Sequence, residues 1–190
     1  MNRIEREPIS FTLRPSSFGL FALLWEDHAG QPKIRRILLS RPGLPAPQAV
    51  KETFPGIKSS TCIEIDGLAH RIRAFLQGED IRFSLEKTRL DLCSTFQQNV
   101  LRAEHGIPRG SISTYQRIAR YLNRPSSARA VGMALARNPF PIIIPCHRAI
   151  RADGKLGGYQ GGLVMKRKLL EMEGITFDDS ECVTTRRYFY

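Results

Sequence analysis

Pro145-Cys146-His147-Arg148 sets a thiol, an imidazole and a guanidinium side by side. A thiol becomes a strong nucleophile only as the thiolate, and nearby cationic or proton-accepting groups favour that form. Side chains adjacent in sequence usually diverge, so His147 is expected to reach Cys146 through a water or a turn, not by direct contact. Glu173 falls at the end of the last helix that the pattern predicts. A carboxylate there sits at the negative pole unless a histidine or arginine compensates it, so Glu173 can orient His147 and stabilise its cation. The plainer alternative is a structural cysteine that happens to precede a histidine.

The segments around these residues are stiff or open in ways that suit a site. Asn138-Pro139 leads into Phe140-Pro141-Ile142-Ile143-Ile144-Pro145, an apolar run bounded by prolines and too short for a helix. Prolines fix φ and restrict the residue before them, so this run can deliver Cys146 to the mouth of a pocket. Downstream, Leu156-Gly157-Gly158-Tyr159-Gln160-Gly161-Gly162 has neither P-loop nor GxGxxG spacing. Its glycines would let backbone approach a planar ligand, with Tyr159 as a wall; a flexible surface turn is the bland alternative. A helix is predicted from Leu163 to Glu173, with Gly174 as its stop.

Ahead of the site the apolar spacing is helical. Thr95 to His105 puts Phe96, Val100 and Ala103 on one face, and Gly106-Ile107-Pro108-Arg109-Gly110 ends it. A short helix follows, capped by Ser113 or Thr114, with Tyr115, Ile118, Ala119 and Leu122 inward. Asn123-Arg124-Pro125 makes a turn, Ser126 or Ser127 caps the next helix, and Ala128, Val131 and Leu135 form its buried stripe. Two short helices joined by a tight turn form a helix-turn-helix pattern. Its outward positions include Arg129, Ala130, Met133 and Arg137. Small side chains allow close approach to a nucleic acid, and arginines contact phosphates or insert into the duplex. An ordinary surface helix would carry the same pattern.

Charge points the same way. Arg102 to Lys168 holds 13 Lys and Arg against two acids, Glu104 and Asp153, so the chain's whole formal excess of +11 lies in this window. Such a surface favours a polyanion by releasing counterions condensed on phosphates, although a solvated basic face is the usual meaning of a shorter run. The cysteines at 62, 93, 146 and 182 form no CxxC pair and have no histidine at finger-like spacing, which argues against structural zinc. Cys62 and Cys93 read as buried, inert thiols. No apolar run of about 18 residues spans a bilayer, and no charged-then-apolar start resembles a secretory signal. The expectation is a soluble protein of the cytoplasm, or of a nucleus, with no membrane partner.

Residues 1–88 read as an α/β module. Phe11 to Trp25 contains two β-rich runs separated by Pro15-Ser16-Ser17, a hairpin pattern, and Lys33 to Leu39 a third strand. Arg41 to Pro47 is rich in breakers and reads as a loop. Ile65, Leu68, Ile72 and Leu76 then mark a helix that stops at Gly78. Nothing in this half looks like a chemical site. Residues 89–176 are mainly helical, and 177–190 form an extension with no assignable role.

Ala128-Arg129-Ala130-Val131-Gly132, Asn138-Pro139, Ile144-Pro145-Cys146-His147-Arg148 and Gly158-Tyr159 with Gly161-Gly162 occur in that order. The series resembles the O6-alkylguanine-DNA alkyltransferases, also called methylated-DNA-protein-cysteine methyltransferases, over about Thr95 to Gly174. The first half resembles them only in size and broad character. The resemblance implies a mixed-sheet, ribonuclease-H-like α/β domain followed by a mainly α domain with the helix-turn-helix in the minor groove of double-stranded DNA. It implies that Cys146 takes the alkyl group of O6-alkylguanine, that His147 accepts the thiol proton through water, and that Glu173 supports His147. Tyr115 would protonate the leaving guanine, Arg129 would fill the space of a flipped nucleotide, and Asn138 would brace the turn that carries the cysteine. Ser126, Ser127, Ala130, Met133 and Arg137 would share the DNA face, while Pro141, Gly158, Tyr159, Gln160 and Gly161 would line the base pocket.

A thiolate cannot reach the O6 substituent inside an intact stack, so the base must be flipped out. The product is a thioether that nothing in the sequence would hydrolyse, so each molecule acts once, with no metal or organic cofactor. A monomer is expected, with cooperative binding along DNA left open. Gln160 stands where many relatives have serine, and Ala149 where a β-branched residue is common, which bears on substrate range and rate. The rival readings are a binder of alkylated bases that does not repair them, a helix-turn-helix regulator, and a cysteine hydrolase. The first lacks an acceptor cysteine, the second leaves Cys146 unexplained, and the third leaves Arg129 unexplained.

Overall fold

The computed structural model describes residues 8–190. The first seven residues of the expected 1–88 module, and the reading of the chain's start, lie outside the described residues. β1 (Ser10–Ser16), β2 (Gly19–His28) and β3 (Gln31–Leu39) are antiparallel, α1 spans Ala46–Thr53, and β4 (Lys58–Ser59) returns parallel to β1. The mixed sheet has the order β3-β2-β1-β4. α2 (Ile63–Leu76) follows.

Alternation along β2 divides the interior. Phe21 and Leu23 point into a core shared with α2, whereas Ala22 and Leu24 pack with Ala46, Ala49 and Val50 of α1 on the other face. The hairpin turns at Ser17-Phe18, so Pro15 sits inside β1 opposite Leu20, not in the turn as expected. A proline is tolerated there because β4 pairs only with Ser10 and Phe11, and beyond them β1 is an edge. The expected loop over 41–47 holds only as far as Pro45. Pro45 is the N-cap of α1 and Pro47 lies in its first turn, where the missing N–H has no helical partner to lose. Gly78 does end α2, in a left-handed conformation at φ 103°.

The second half is mostly helical. α3 (Thr95–Gly106) is capped by Ser94, β5 is Ser113–Thr114, and α4 (Tyr115–Tyr121) takes its cap from Thr114, whose Oγ1 accepts from Arg117 N at 3.1 Å. A 3-10 turn over Pro125–Ser127 runs straight into α5 (Ala128–Ala136). Ser127 occupies the N-cap, but neither it nor Ser126 supplies a side-chain cap, because the 3-10 turn leads the chain directly into the helix. β6 (Ala149–Ile150) pairs in parallel with β5, and α6 covers Leu163–Met172 with Glu173 as its C-cap. Cys62 and Cys93 are half-buried, not buried as expected. The extension past residue 176 is packed against the fold. Phe189 N donates to Ile112 O, Tyr190 Oη donates to Ala103 O, and the Tyr190 ring stacks on Tyr121 at 3.8 Å.

One apolar core runs from Phe21, Ile34 and Ile37 on the sheet through Val100, Leu101 and Val131 to Ile143 and Cys146. Edge strand β3 leaves backbone N–H groups facing outward, and the second half uses them. Ile37 N donates to Pro139 O at 2.8 Å, and Leu39 N to Gln160 Oε1 at 3.1 Å. An exposed strand edge is thereby covered by the two loops that build the site.

Candidate active site

Asn138 organises the segment that presents the thiol. Its Oδ1 accepts from Phe140 N at 2.9 Å, and its Nδ2 donates to Ile144 O at 3.0 Å and to Cys146 Sγ at 3.2 Å. Between these anchors Ile142 has φ 75°, a conformation costly for a β-branched residue at about 1–3 kcal/mol. Pro141, buried, is bridged to Ile144 across this turn. A 3-10 turn over Cys146–Arg148 then carries the thiol, the imidazole and the guanidinium in different directions.

His147 is fully buried, and its Nε2 lies 2.9 Å from Glu173 Oε1. The same carboxylate accepts from Arg148, Nε to Oε2 at 2.9 Å and Nη2 to Oε1 at 2.7 Å. Burial alone would raise the Glu173 pKa, but His147 and Arg148 outweigh it and hold the group at about 2. Burial pushes His147 below its ordinary value, against the pull of Glu173. A bond from Glu173 to Nε2 fixes the ring and leaves Nδ1, which is buried and has no hydrogen-bond partner among the described residues.

Cys146 is 7% exposed. Burial pushes its pKa up to about 12, and the Asn138 hydrogen bond only partly offsets that. Lys166 favours the thiolate, as expected of a nearby cation, but burial is the larger effect in this site. Tyr115 is likewise a firm phenol, raised to about 12 by burial, then by Glu104 and Cys146.

The glycine loop closes over these groups. A side chain at Gly157, which has φ 68°, would bring a Cβ to 2.5 Å from Tyr115 Oη. Tyr159 meets His147 edge-on, with ring centroids 6.2 Å apart, and its hydroxyl is buried. Gly161 is buried and Gly158 exposed, and Gln160 turns its side chain away from the thiol to Leu39 N. A cavity of about 650 Å³ opens on the outer side of the loop, against Leu156, Gly158, Tyr159, Val164 and Arg167, but Cys146 is not in its wall.

Cys146, His147, Glu173, Asn138 and Tyr159 are thus brought together, with Tyr115 against the loop at Gly157. On α5, Arg129, Ala130 and Met133 are exposed, as is Arg137 just beyond it; Ser126 is exposed and Ser127 half-buried before it. Sequence reasoning assigned nothing to Lys166, Glu104 or the Arg148 clamp. Lys166 is fully buried, and its Nζ donates to Ala149 O at 2.7 Å and Leu156 O at 2.5 Å. Glu104 is fully buried too, and its place was readable, four residues after Val100 on the apolar face of α3.

The family model described as 6-O-methylguanine DNA methyltransferase, DNA binding domain, matches residues 95–175. The methylated-DNA–protein-cysteine methyltransferase of Methanothermobacter thermautotrophicus is 45% identical over 120 residues, 63% of this chain and 67% of that protein. The chain belongs to the methylated-DNA–protein-cysteine methyltransferase family. A member from Mycobacterium leprae is 49% identical over 104 residues, 54% of this chain and 61% of that protein. A solved member, Mycobacterium tuberculosis OGT in complex with DNA, superposes with a TM-score of 0.68 at 32% identity, covering 86% of this chain and 92% of that one. The likeness to this family member therefore extends beyond the matched C-terminal part to the α/β half. Among the described residues no helix is long and apolar enough to cross a membrane.

Proposed function

We propose that this protein repairs duplex DNA by moving the alkyl group of O6-alkylguanine irreversibly onto Cys146. The observation that carries the proposal is a buried thiol held by Asn138, next to an imidazole whose Nε2 is occupied by Glu173 and whose Nδ1 is left for the reaction.

In this reading a water relays the Cys146 proton to His147 Nδ1, and the imidazolium is stabilised by Glu173, itself kept ionised by Arg148. The thiolate attacks the alkyl carbon; the S–C bond forms and the C–O6 bond breaks. Its electron pair goes to the guanine, which takes a proton from Tyr115. Among the described residues no group is positioned to hydrolyse the thioether, so one molecule removes one adduct.

Because Cys146 is so little exposed, the base has to enter where Tyr159 and its neighbouring glycines now close the site. We read α4, the turn and α5 as a helix-turn-helix that enters the minor groove, where Ala130 and Met133 keep the approach close, Arg137 and the Ser126-Ser127 turn meet phosphates, and Arg129 fills the space of the flipped nucleotide. The sheet with α1 and α2 is read as a ribonuclease-H-like module ending near residue 88, with residues 89–176 as the DNA-binding and acceptor module, working as a cytoplasmic or nuclear monomer. The test is transfer of a labelled methyl group from O6-methylguanine in duplex DNA to the peptide that contains Cys146.

A further inference from the structure

Glu104 lies on α3 with no exposed surface, and neither carboxyl oxygen has a hydrogen-bond partner among the described residues. Buried carboxyls are rarely left without donors, since an unpaired buried charge is expensive. α3 packs on the Cys146–Arg148 turn, and the first residue after that turn, Ala149, connects Glu104 to the site. The Ala149 amide faces Glu104 without completing a hydrogen bond to either oxygen, while the Ala149 carbonyl accepts from Lys166 Nζ at 2.7 Å. The other ionisable groups acting on or sensing Glu104 are Arg148 and Cys146 on the turn, Tyr115 on α4 and Tyr190 in the C-terminal extension.

We propose that Glu104 is a positioning residue for the acceptor thiol: a buried carboxyl that stays neutral behind Cys146, leaves the Lys166 ammonium unneutralised for the thiolate, and removes that support when it ionises. This rests on the reading of Cys146 as the acceptor.

Burial pushes Glu104 up to about 8, against the attraction of Lys166 and Arg148, and pushes Lys166 down to about 8. The pair therefore gives up one proton in that range. Hydrogen bonds decide which member keeps its proton. Lys166 Nζ faces three carbonyls, Ala149 at 2.7 Å, Leu156 at 2.5 Å and Gly158 at 3.5 Å, a set that suits an ammonium with three N–H groups. Glu104 has no comparable donors for an anion. At neutral pH the pair is a carboxylic acid and an ammonium; as pH rises Glu104 ionises and neutralises Lys166. Lys166 lowers the Cys146 pKa and an ionised Glu104 raises it, so that ionisation opposes thiolate formation.

The test is the rate at which iodoacetamide labels the Cys146 peptide in the full chain from pH 6.5 to 9.5, in the native protein and in Glu104→Gln and Glu104→Leu. Labelling needs no DNA, so its outcome is separate from whether O6-alkylguanine is the substrate. In the native protein the rise of rate with pH is expected to flatten above about pH 8, while both variants keep rising and exceed it by about tenfold at pH 9.5, the equivalent of one unit in the thiol pKa. A variant-to-native ratio that stays constant across the range would overturn the proposal, since loss of a merely structural side chain changes rate without changing the pH profile. Carbon-13 NMR of the Glu104 carboxyl in the native protein is the second measurement. A protonated carboxyl at pH 7 is expected, and one already ionised at pH 6 refutes the proposal whatever the variants do.

Discussion

Nε2 of His147 lies 2.9 Å from Oε1 of Glu173, and this contact leaves Nδ1 as the ring nitrogen without a partner among the described residues. Were the carboxylate bonded to Nδ1 instead, the free nitrogen would lie on the other side of the ring. Arg148 keeps the carboxylate ionised from its second side, so three consecutive residues and one helix C-cap form a single unit.

Glu173→Gln should therefore damage stability and reaction together. It leaves Arg148 and a protonating His147 buried without their counter-charge, at a cost of about 3–5 kcal/mol, and should slow transfer on the order of 100-fold. The sign of the pH effect follows from the carboxyl's lowered pKa. Its stabilisation is complete above the ordinary value of 4.5 and is lost as pH falls from there through about 2, worth up to about 3 kcal/mol. Denaturant unfolding between pH 6 and 2 should show this acid limb in the native protein and a shallower one in the variant.

Arg129 lies outside the buried unit. It is exposed on α5, with no hydrogen bond or ion pair to the described residues. Arg129→Ala should leave folding intact and reduce the single-turnover rate about 10- to 100-fold, a fraction of the few kcal/mol that extrusion of a base requires. Binding to undamaged duplex should fall much less and keep its steep salt dependence. Equal losses in rate and in undamaged-duplex affinity would assign Arg129 to phosphate contact alone.

Gln160 ties the pocket loop to the edge strand through Leu39 N. Gln160→Ser should cost about 1 kcal/mol for the lost bond and free the loop. The rate with a bulky O6-benzyl adduct should rise relative to the methyl adduct, measured as a ratio on duplexes of one sequence. An unchanged ratio would mean that the tether does not restrict the pocket.

What could be read from the sequence follows from how local each feature is. Cys146, His147 and Arg148 are neighbours, Glu173 announces itself by its place at a helix end, and Arg129 by its outward position on a short helix. The spacing of Ile65, Ile72 and Leu76 marks α2 and that of Val131 and Leu135 marks α5, because each helix buries one stripe. Helix α1 was hidden by Pro45 and Pro47, residues that break a helix interior but are compatible with a first turn. The contact of Gln160 with Leu39 joins residues 121 apart in sequence and depends on which strand forms the sheet edge. Nothing in the sequence marks Lys166 as buried; its burial follows from the carbonyls of β6 and the glycine loop converging on it. The raised pKa of Cys146 was not legible for a related reason. Neighbouring residue types indicate cations but not the depth of burial that outweighs them.

The most direct test of the account is mass spectrometry of the Cys146 peptide after incubation with excess duplex that contains O6-methylguanine. One added methyl group on Cys146, restored guanine in equal amount, no turnover beyond one equivalent, and no transfer in Cys146→Ala are expected. An unmodified Cys146 peptide alongside repaired DNA, or repair continuing past one equivalent, would contradict it.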